Sequence, residues 1–272
     1  MTIDNSLLSS TLLYQNKKIH YRSYGSGKPV LFIHGFGEDS NIWNDIIDHL
    51  KDRYFLIVPD LPGSGQSEMT GDMSMEGMAE VMMAVLKASL ASEGEASLIG
   101  HSMGGYIALA FAEKFPQAYS ALGLFHSTAF ADSEEKKSTR RKGIAFIREH
   151  GAHAFLKTVI PNLFSPGFKE ENPSIIQKFI EEQHNFSPEA LVSYYEAMMA
   201  RPDRTPVLQK TAEPVLFIMG KYDNAVPLDD VLKQSHLPEK SYIHILRKSG
   251  HMGMMEEPVA SNRILDKFLL EI

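Results

Sequence analysis

The sequence of 272 residues contains no cysteine. This absence excludes disulfides, thiolate zinc sites, iron–sulfur clusters and a cysteine nucleophile, so any covalent chemistry has to use oxygen or nitrogen. Basic residues are fewer than acidic ones, 27 against 34, and the net charge of −7 disfavours nucleic acid, whose phosphates attract a basic surface. The length suffices for one large core, and 43% apolar with 22% charged residues is typical of a globular protein.

Long apolar segments are missing as well. No stretch approaches the roughly 18 consecutive apolar residues that a membrane span needs. The first residues carry no basic segment ahead of an apolar block, so the sequence indicates no secretion signal. We therefore expect a soluble, cytoplasmic protein without a membrane span. The sequence leaves the oligomeric state open.

Short apolar runs alternate with amphipathic stretches along the chain, which is typical of a parallel sheet flanked by helices. Two segments near the N-terminus alternate like a hairpin at a sheet edge. The sequence therefore predicts an α/β fold with a doubly wound, mostly parallel, eight-stranded sheet. The expected strands are 11–14, 18–24, 29–35, 54–59, 96–101, 119–125, 214–220 and 242–246, and the expected helices lie near 40–52, 74–92, 103–115, 228–236 and 258–271.

The strand rhythm stops between residues 131 and 210, where helical periods punctuated by prolines replace it. We predict a helical cap inserted into a core made of residues 1–130 and 211–272. Most aromatic side chains of the cap are expected to pack it onto the core. Its basic cluster is typical of a solvated helix face, with attraction of an anionic substrate as the alternative. That cluster comprises Lys136, Lys137, Arg140, Arg141 and Lys142.

Residues 100–104, GHSMG, carry the strongest functional signal. A Gly-x-Ser-x-Gly match is weak alone, but this one lies between a predicted strand and a predicted helix that is rich in small residues. A strand, a sharp turn and a helix in that order hold the serine on strained backbone and project its hydroxyl at the end of the strand. The context therefore predicts Ser102 as a nucleophile.

A serine nucleophile needs a base, and an imidazole base needs a carboxylate that fixes its tautomer. Among eleven histidines, His251 fits best because glycines flank it in a loop after the last predicted strand. Asp223, in the loop after the preceding strand, is the expected acid, with Asp132 as the reserve candidate. The expected oxyanion hole consists of the backbone N–H groups of Phe36, in a glycine-rich turn, and Met103, at a helix start.

Four further residues are expected near the substrate: Trp43, His126, Phe130 and Met252. Trp43 follows the oxyanion turn, Met252 adjoins His251, and the other two follow the sixth predicted strand. The sequence has no phosphate-binding loop, no His-Glu-x-x-His motif and no dinucleotide fingerprint. It therefore predicts no cofactor and no metal.

Together these motifs resemble those of the α/β-hydrolase fold superfamily, in its branch with a serine nucleophile. The resemblance rests on the order Ser102, Asp223, His251, on residues 34–37 (HGFG) and on the turn 60–67 (DLPGSGQS). It implies a carboxylesterase that cleaves a small ester or thioester through an acyl-enzyme, with a small molecule as its partner. The turn at 60–67 is structural in that superfamily.

Other activities of that superfamily stay open to different degrees. Dehalogenases and epoxide hydrolases use an aspartate where this chain has Ser102, so they fit poorly. C–C bond hydrolases usually carry Asn in place of His101 and Trp in place of Met252. A cofactor-free perhydrolase or haloperoxidase would use the same residues with peroxide instead of water. An inactive ligand-binding homologue fits least, because binding alone needs no nucleophile.

Overall fold

The computed structural model describes residues 8–90 and 94–272. The first residues, on which the prediction about a secretion signal rests, and positions 91 and 92 of the predicted second helix lie outside this part of the chain. None of the helices described is both long and apolar enough to cross a membrane. Eight strands are described: β1 (Leu8–Tyr14), β2 (Lys17–Tyr24), β3 (Lys28–Ile33), β4 (Tyr54–Pro59), β5 (Ala96–His101), β6 (Tyr119–Phe125), β7 (Val215–Gly220) and β8 (Ser241–Leu246).

These strands form one sheet in the order β1-β2-β4-β3-β5-β6-β7-β8. Strand β2 runs antiparallel to β1 and β4, and the pairs from β4 onward are parallel. The predicted doubly wound, mostly parallel sheet is therefore confirmed. The N-terminal hairpin turns on Gln15 and Asn16, whose φ angles of 48° and 63° suit a two-residue turn. Its turn is one residue shorter than predicted because Lys17 already pairs with Tyr14.

Helices cover both faces of the sheet. They are α1 (Asn44–Leu50), α2 (Met75–Ser89), α3 (Met103–Lys114), α4 (Glu134–His150), α5 (Ala152–Val159), α6 (Pro166–Glu171), α7 (Pro173–Glu182), α8 (Pro188–Ala200), α9 (Thr205–Lys210), α10 (Leu228–Leu232), α11 (Gly253–Glu256) and α12 (Pro258–Glu271), with 3₁₀ helices at Ser40–Trp43 and Ile160–Leu163. Helices α2 and α3 pack together on one face, and α1 packs against α12 on the other. The helix predicted at 228–236 ends at Leu232, because the buried Gln234 side chain turns inward to Thr128 (2.6 Å).

The described chain between β6 and β7 contains helices α4 to α9 and no strand, as the proline-punctuated pattern predicts. Serine residues cap three of these helices: the side chains of Ser133, Ser165 and Ser187 each accept a hydrogen bond from the first turn. We call α4 to α9 the helical insertion. The division into a core and a separate cap at residues 131 and 210 stays a prediction.

The turn from β5 into α3 depends on very close backbone packing. A Cβ atom at Gly100 would lie 2.4 Å from the carbonyl carbon of Gly104, and one at Gly104 would lie 2.1 Å from the Ile33 oxygen of β3. Both neighbours are backbone atoms, which cannot rotate away as a side chain could. Glycine at these positions therefore lets α3 begin directly against the ends of β3 and β5.

We expect Gly104→Ala to lower the free energy of unfolding by about 1–3 kcal/mol, because the added methyl group overpacks the β3–α3 contact. Gly71→Ala is the matched control, since a Cβ at Gly71 meets no atom within 4 Å. Urea unfolding of both variants checks the prediction. Equal stability of the two variants would contradict it.

Candidate active site

The predicted site residues meet at one edge of the sheet. Ser102 follows β5, Asp223 follows β7, His251 follows β8, and Phe36 lies in the turn after β3. These strands are parallel, so their carboxyl ends lie side by side. Phe36, Ser102 and His251 line one cavity of about 130 Å³. The helical insertion forms much of the opposite wall.

Ser102 occupies a strained backbone conformation, with φ 51° and ψ −116°, immediately before the first residue of α3. A positive φ is uncommon for a residue with a side chain, and here hydrogen bonds hold it. The Ser102 N–H donates to the Phe125 carbonyl (2.9 Å), and its carbonyl accepts from the Ser127 hydroxyl (2.7 Å). The serine side chain is left partly exposed at the cavity. The predicted strand–turn–helix context is thus observed.

Asp223 and His251 are hydrogen-bonded as the sequence predicts, at 2.8 Å between Oδ2 and Nδ1. The other carboxylate oxygen accepts the backbone N–H groups of Ala225 (2.9 Å) and Val226 (2.8 Å). Burial opposes ionisation, but His251 and a second imidazole, His126, hold the pKa of Asp223 well below its ordinary value. An ionised carboxylate accepts the Nδ1 proton, which leaves the His251 Nε2 lone pair available.

The loop that carries His251 is fixed from two sides. The His251 N–H donates to the Leu163 carbonyl of the helical insertion (2.6 Å). Glu256 accepts the N–H groups of Gly250 (2.8 Å) and, with its other oxygen, Ser165 (2.8 Å). Core and insertion therefore position the imidazole jointly. Among the hydrogen bonds of residues 8–90 and 94–272, none joins the Ser102 hydroxyl to this ring.

A second imidazole binds the same carboxylate. His126, fully buried just after β6, lies with its Nδ1 3.1 Å from Asp223 Oδ2. Its Nε2 accepts the Gly253 N–H (3.2 Å), so the ring proton must be on Nδ1 and is donated to Asp223. Burial lowers the pKa of His126 to about 4, which keeps this ring neutral. His126 thus orients the carboxylate from behind.

A buried ion pair connects the turn after β3 to the loop that carries His251. His101, which precedes Ser102, lies with Nδ1 3.0 Å from Glu38 Oε2 and Nε2 2.9 Å from the His251 carbonyl. A carboxylate and a carbonyl only accept, so both ring nitrogens carry protons. Burial opposes the charge on both groups. Nevertheless Glu38 raises the pKa of His101, and His101 lowers the pKa of Glu38. Glu38 also accepts the Gly35 N–H (2.7 Å).

The two expected oxyanion donors lie on either side of Ser102 in the fold. Met103 is the first residue of α3, so its N–H has no carbonyl partner one turn earlier in the helix. Phe36 lines the cavity and stacks on Tyr195 of α8, with ring centroids 4.4 Å apart and planes 5° apart. Both placements suit the assignment, which stays a prediction.

The structure corrects the four pocket assignments. Trp43, His126 and Met252 are fully buried, and none of the four lines the cavity with Ser102. Trp43 packs behind the site against Phe32, with ring centroids 5.1 Å apart. The Phe130 carbonyl instead accepts a hydrogen bond from Arg201, the residue that follows α8. Short sequence distance from a catalytic motif did not indicate which face each side chain occupies.

The reserve acid Asp132 is engaged elsewhere. Its side chain is buried between two guanidinium groups, Arg140 (Nε to Oδ2, 2.5 Å) and Arg201 (Nη1 to Oδ1, 2.9 Å). Burial opposes ionisation, yet the two arginines lower the pKa of Asp132. This carboxylate therefore does not serve His251.

A second Ser–His–Asp chain of hydrogen bonds joins β1, β2 and the residue that follows β4. Ser9 Oγ is 2.9 Å from His20 Nε2, and His20 Nδ1 is 3.1 Å from Asp60 Oδ2. Asp60 also accepts backbone N–H groups of Ser40 (3.0 Å) and Gln66 (2.9 Å), so this carboxylate holds backbone in place. Ser9 lies within strand β1 on regular backbone, with no helix starting behind it.

His126, Asp223 and His251 also form the one group of the described residues whose ligand atoms lie close enough for a metal ion, within 4.8 Å of one another. The hydrogen bonds do not favour a metal there. Both Nδ1 protons are directed at Asp223 Oδ2, and Oδ1 is used by backbone N–H groups. A cation would have to displace all of these contacts.

Sequence reasoning missed the roles of Glu38, His101 and Arg140, which lines the same cavity. For Glu38 no motif gives a signal, since charged residues on a turn normally face solvent, and the basic cluster on α4 does not single out Arg140 from its neighbours. His101 offers a weak signal, because a histidine that ends a short, mostly apolar strand has to find buried partners.

The alpha/beta hydrolase fold family matches residues 28–143 of this chain. The 3-oxoadipate enol-lactonase 2 of Acinetobacter baylyi is 28% identical over 262 residues, which cover 94% of each chain. The 2-hydroxy-6-oxo-6-phenylhexa-2,4-dienoate hydrolase of Comamonas testosteroni is 26% identical over 92% of this chain and 91% of its own.

Solved structures agree with these sequence similarities. A thermophilic esterase from Thermogutta terrifontis, determined with malate bound, is 29% identical and superposes with a TM-score of 0.89 over 97% of this chain and 98% of its own. The sheet order, the strained serine between β5 and α3 and these similarities show that the chain has the α/β-hydrolase fold.

Proposed function

We propose that this protein is a serine hydrolase that cleaves a small carboxylic ester, or thioester, through an acyl-enzyme on Ser102, His251 and Asp223. The observation that carries the proposal is the 2.8 Å hydrogen bond between Asp223 and His251, with His251 and Ser102 lining one cavity. That bond fixes the imidazole tautomer whose Nε2 can accept a proton. The similarity to an esterase and an enol-lactonase supports the same chemistry.

In the proposed mechanism the Ser102 oxygen attacks the carbonyl carbon while its proton passes to His251 Nε2. A rotation of the serine side chain, or an approach of the ring, precedes this step because the two are not hydrogen-bonded beforehand. The N–H groups of Phe36 and Met103 stabilise the oxyanion. His251 then protonates the leaving alcohol, and a water molecule deprotonated by His251 releases the acid.

The cavity supports a small substrate. Its volume of about 130 Å³ is below the roughly 300–1,000 Å³ of pockets for drug-sized ligands. Its lining combines aliphatic side chains of the insertion, such as Leu156 and Ile160, with aromatic Tyr195. We propose that the insertion acts as the cap that gives the site its shape and keeps bulk water out.

The assignment of Ser102 as the nucleophile predicts the effect of removing its hydroxyl. Ser102→Ala should abolish covalent labelling by a fluorophosphonate and reduce hydrolysis of methyl butyrate by at least about 10³-fold. Ser9→Ala is the matched control, because Ser9 belongs to the other Ser–His–Asp chain and lacks the strained turn. Intact mass and alcohol release are the measurements.

Labelling that persists in Ser102→Ala and disappears in Ser9→Ala would overturn the assignment. A wild-type protein that neither reacts with the reagent nor cleaves the ester would overturn the hydrolase proposal itself. Product analysis with hydrogen peroxide present distinguishes a perhydrolase, which would release a peracid.

The pH dependence of stability should report on His126. Its pKa is about 4 in the folded protein and ordinarily 6.5, so between these values the unfolded chain binds a proton that the folded chain does not. The contribution of the neutral buried ring to the free energy of unfolding is therefore complete above pH 6.5. It falls by about 3 kcal/mol as the pH is lowered towards 4.

In His126→Asn this loss should be absent. Asparagine tolerates the φ of 51° at this position, and its amide can donate to Asp223. The measurement is urea unfolding of both proteins at several pH values between 6.5 and 4. Parallel stability curves for the two proteins would contradict the burial of a neutral ring.

Glu38 and His101 should behave as a coupled pair. His101→Leu leaves a buried carboxylate without its partner, so we expect a loss of about 3–5 kcal/mol in the free energy of unfolding. Adding Glu38→Gln removes that charge and still offers the Gly35 N–H an acceptor, so the double variant should be more stable than His101→Leu alone. Losses that simply add would show that the pair is not ionic.

A further inference from the structure

One cation reaches into the cavity that holds Ser102. The Arg140 side chain, on α4, lines this cavity and is 18% exposed, whereas its neighbour Arg141 is 58% exposed and pairs with Glu134 at the surface. The basic cluster of this helix is therefore not uniformly a solvated face. Arg140 departs from it by turning inward to the site.

The charge of Arg140 exceeds what its partner Asp132 needs. Arg201 already neutralises this carboxylate at 2.9 Å. Arg201 is itself buried and fixed by the carbonyls of Met198 (2.7 Å) and Phe130 (3.0 Å). Two guanidinium groups on one carboxylate leave a net positive charge at the cavity wall. Glu38, the acidic side chain of the same wall, is balanced by His101.

The Arg140 guanidinium is also held in place with free donors. Its Nε and Nη2 bind the two oxygens of Asp132 at 2.5 and 3.2 Å. The Arg140 Cζ lies 5.3 Å from the centre of the Tyr195 ring. The same ring stacks on Phe36, in the turn after β3. Within the described part of the chain Nη1 has no hydrogen-bond partner, so both its hydrogens remain for a ligand.

We infer that Arg140 binds a carboxylate of the substrate, so that the preferred ester carries a negative charge a short distance from its scissile carbonyl. This inference rests on the proposed function, since it names the substrate class of the same site. A preorganised guanidinium with spare N–H groups suits a carboxylate, and the small cavity requires the carboxylate and the ester to be close along the chain. A short dicarboxylic half-ester meets both requirements.

Two methyl esters of equal shape test the inference. Monomethyl glutarate carries a carboxylate where methyl 5-oxohexanoate carries a neutral methyl ketone. We expect wild-type kcat/KM to favour the charged ester about ten- to a hundredfold, the usual range for a hydrogen-bonded contact to a charged group. In Arg140→Gln this ratio should fall by about tenfold or more, and in the control Arg141→Gln it should stay as in the wild type.

A second measurement does not depend on catalysis. Ser102→Ala protein should bind monomethyl glutarate more tightly than the keto ester in calorimetry, and adding Arg140→Gln should weaken only the binding of the charged ester. If Arg140→Gln does not fold, the wild-type kcat/KM ratio and the Ser102→Ala calorimetry decide the question.

The outcomes separate the two proposals. A wild type that cleaves both esters equally through Ser102 would overturn the carboxylate assignment and leave the hydrolase proposal standing. A protein that cleaves neither ester and does not react with a fluorophosphonate, but binds monomethyl glutarate tightly through Arg140, would overturn the hydrolase proposal. The carboxylate assignment would then stand.

Discussion

The site depends on a single backbone constraint, the φ of 51° at Ser102 between a buried strand and a helix that starts at once. For an L residue with a side chain this conformation is unfavourable, by about 1–3 kcal/mol in general. It persists because the elements on both sides cannot relax: α3 lies against the ends of β3 and β5 with backbone atoms in contact at Gly100 and Gly104. The strain is thus stored by packing of the core, and the hydroxyl is presented by rigid elements.

Buried polar contacts then connect segments that are far apart along the chain. His101 and His251 are 150 residues apart, yet the His101 ring donates to the His251 carbonyl. Glu38 binds the same ring and accepts the Gly35 N–H of the turn after β3. Asp223 receives two imidazoles from different strand ends. Each of these groups is almost completely enclosed, so each contact is strong and leaving any partner unpaired is costly. The network rigidifies the predicted catalytic groups before substrate arrives.

The fold could be predicted from sequence because its signals are local. Parallel strands such as β5 and β7 are buried throughout and mostly apolar, and their observed bounds agree with the predicted ones within a residue. The edge strand β1 begins at Leu8 rather than residue 11, since its exposed positions weaken the pattern. Asp223 and His251 could be paired because each follows a parallel strand, whose carboxyl ends converge.

The rest of the site could not be predicted, because it depends on which way a side chain turns in three dimensions. His126 directly follows a strand that ends near the site, but its side chain packs behind Asp223. Arg140 belongs to a basic cluster typical of a solvated helix face, but its side chain lines the cavity. The first case is set by the positive φ at the end of β6, the second by how the helical insertion docks onto the core. The proposed catalytic residues therefore follow strands of the sheet, whose geometry short motifs specify. In the proposed function the insertion determines substrate choice, because α4 places Arg140 in the cavity wall and leaves its neighbour Arg141 at the surface.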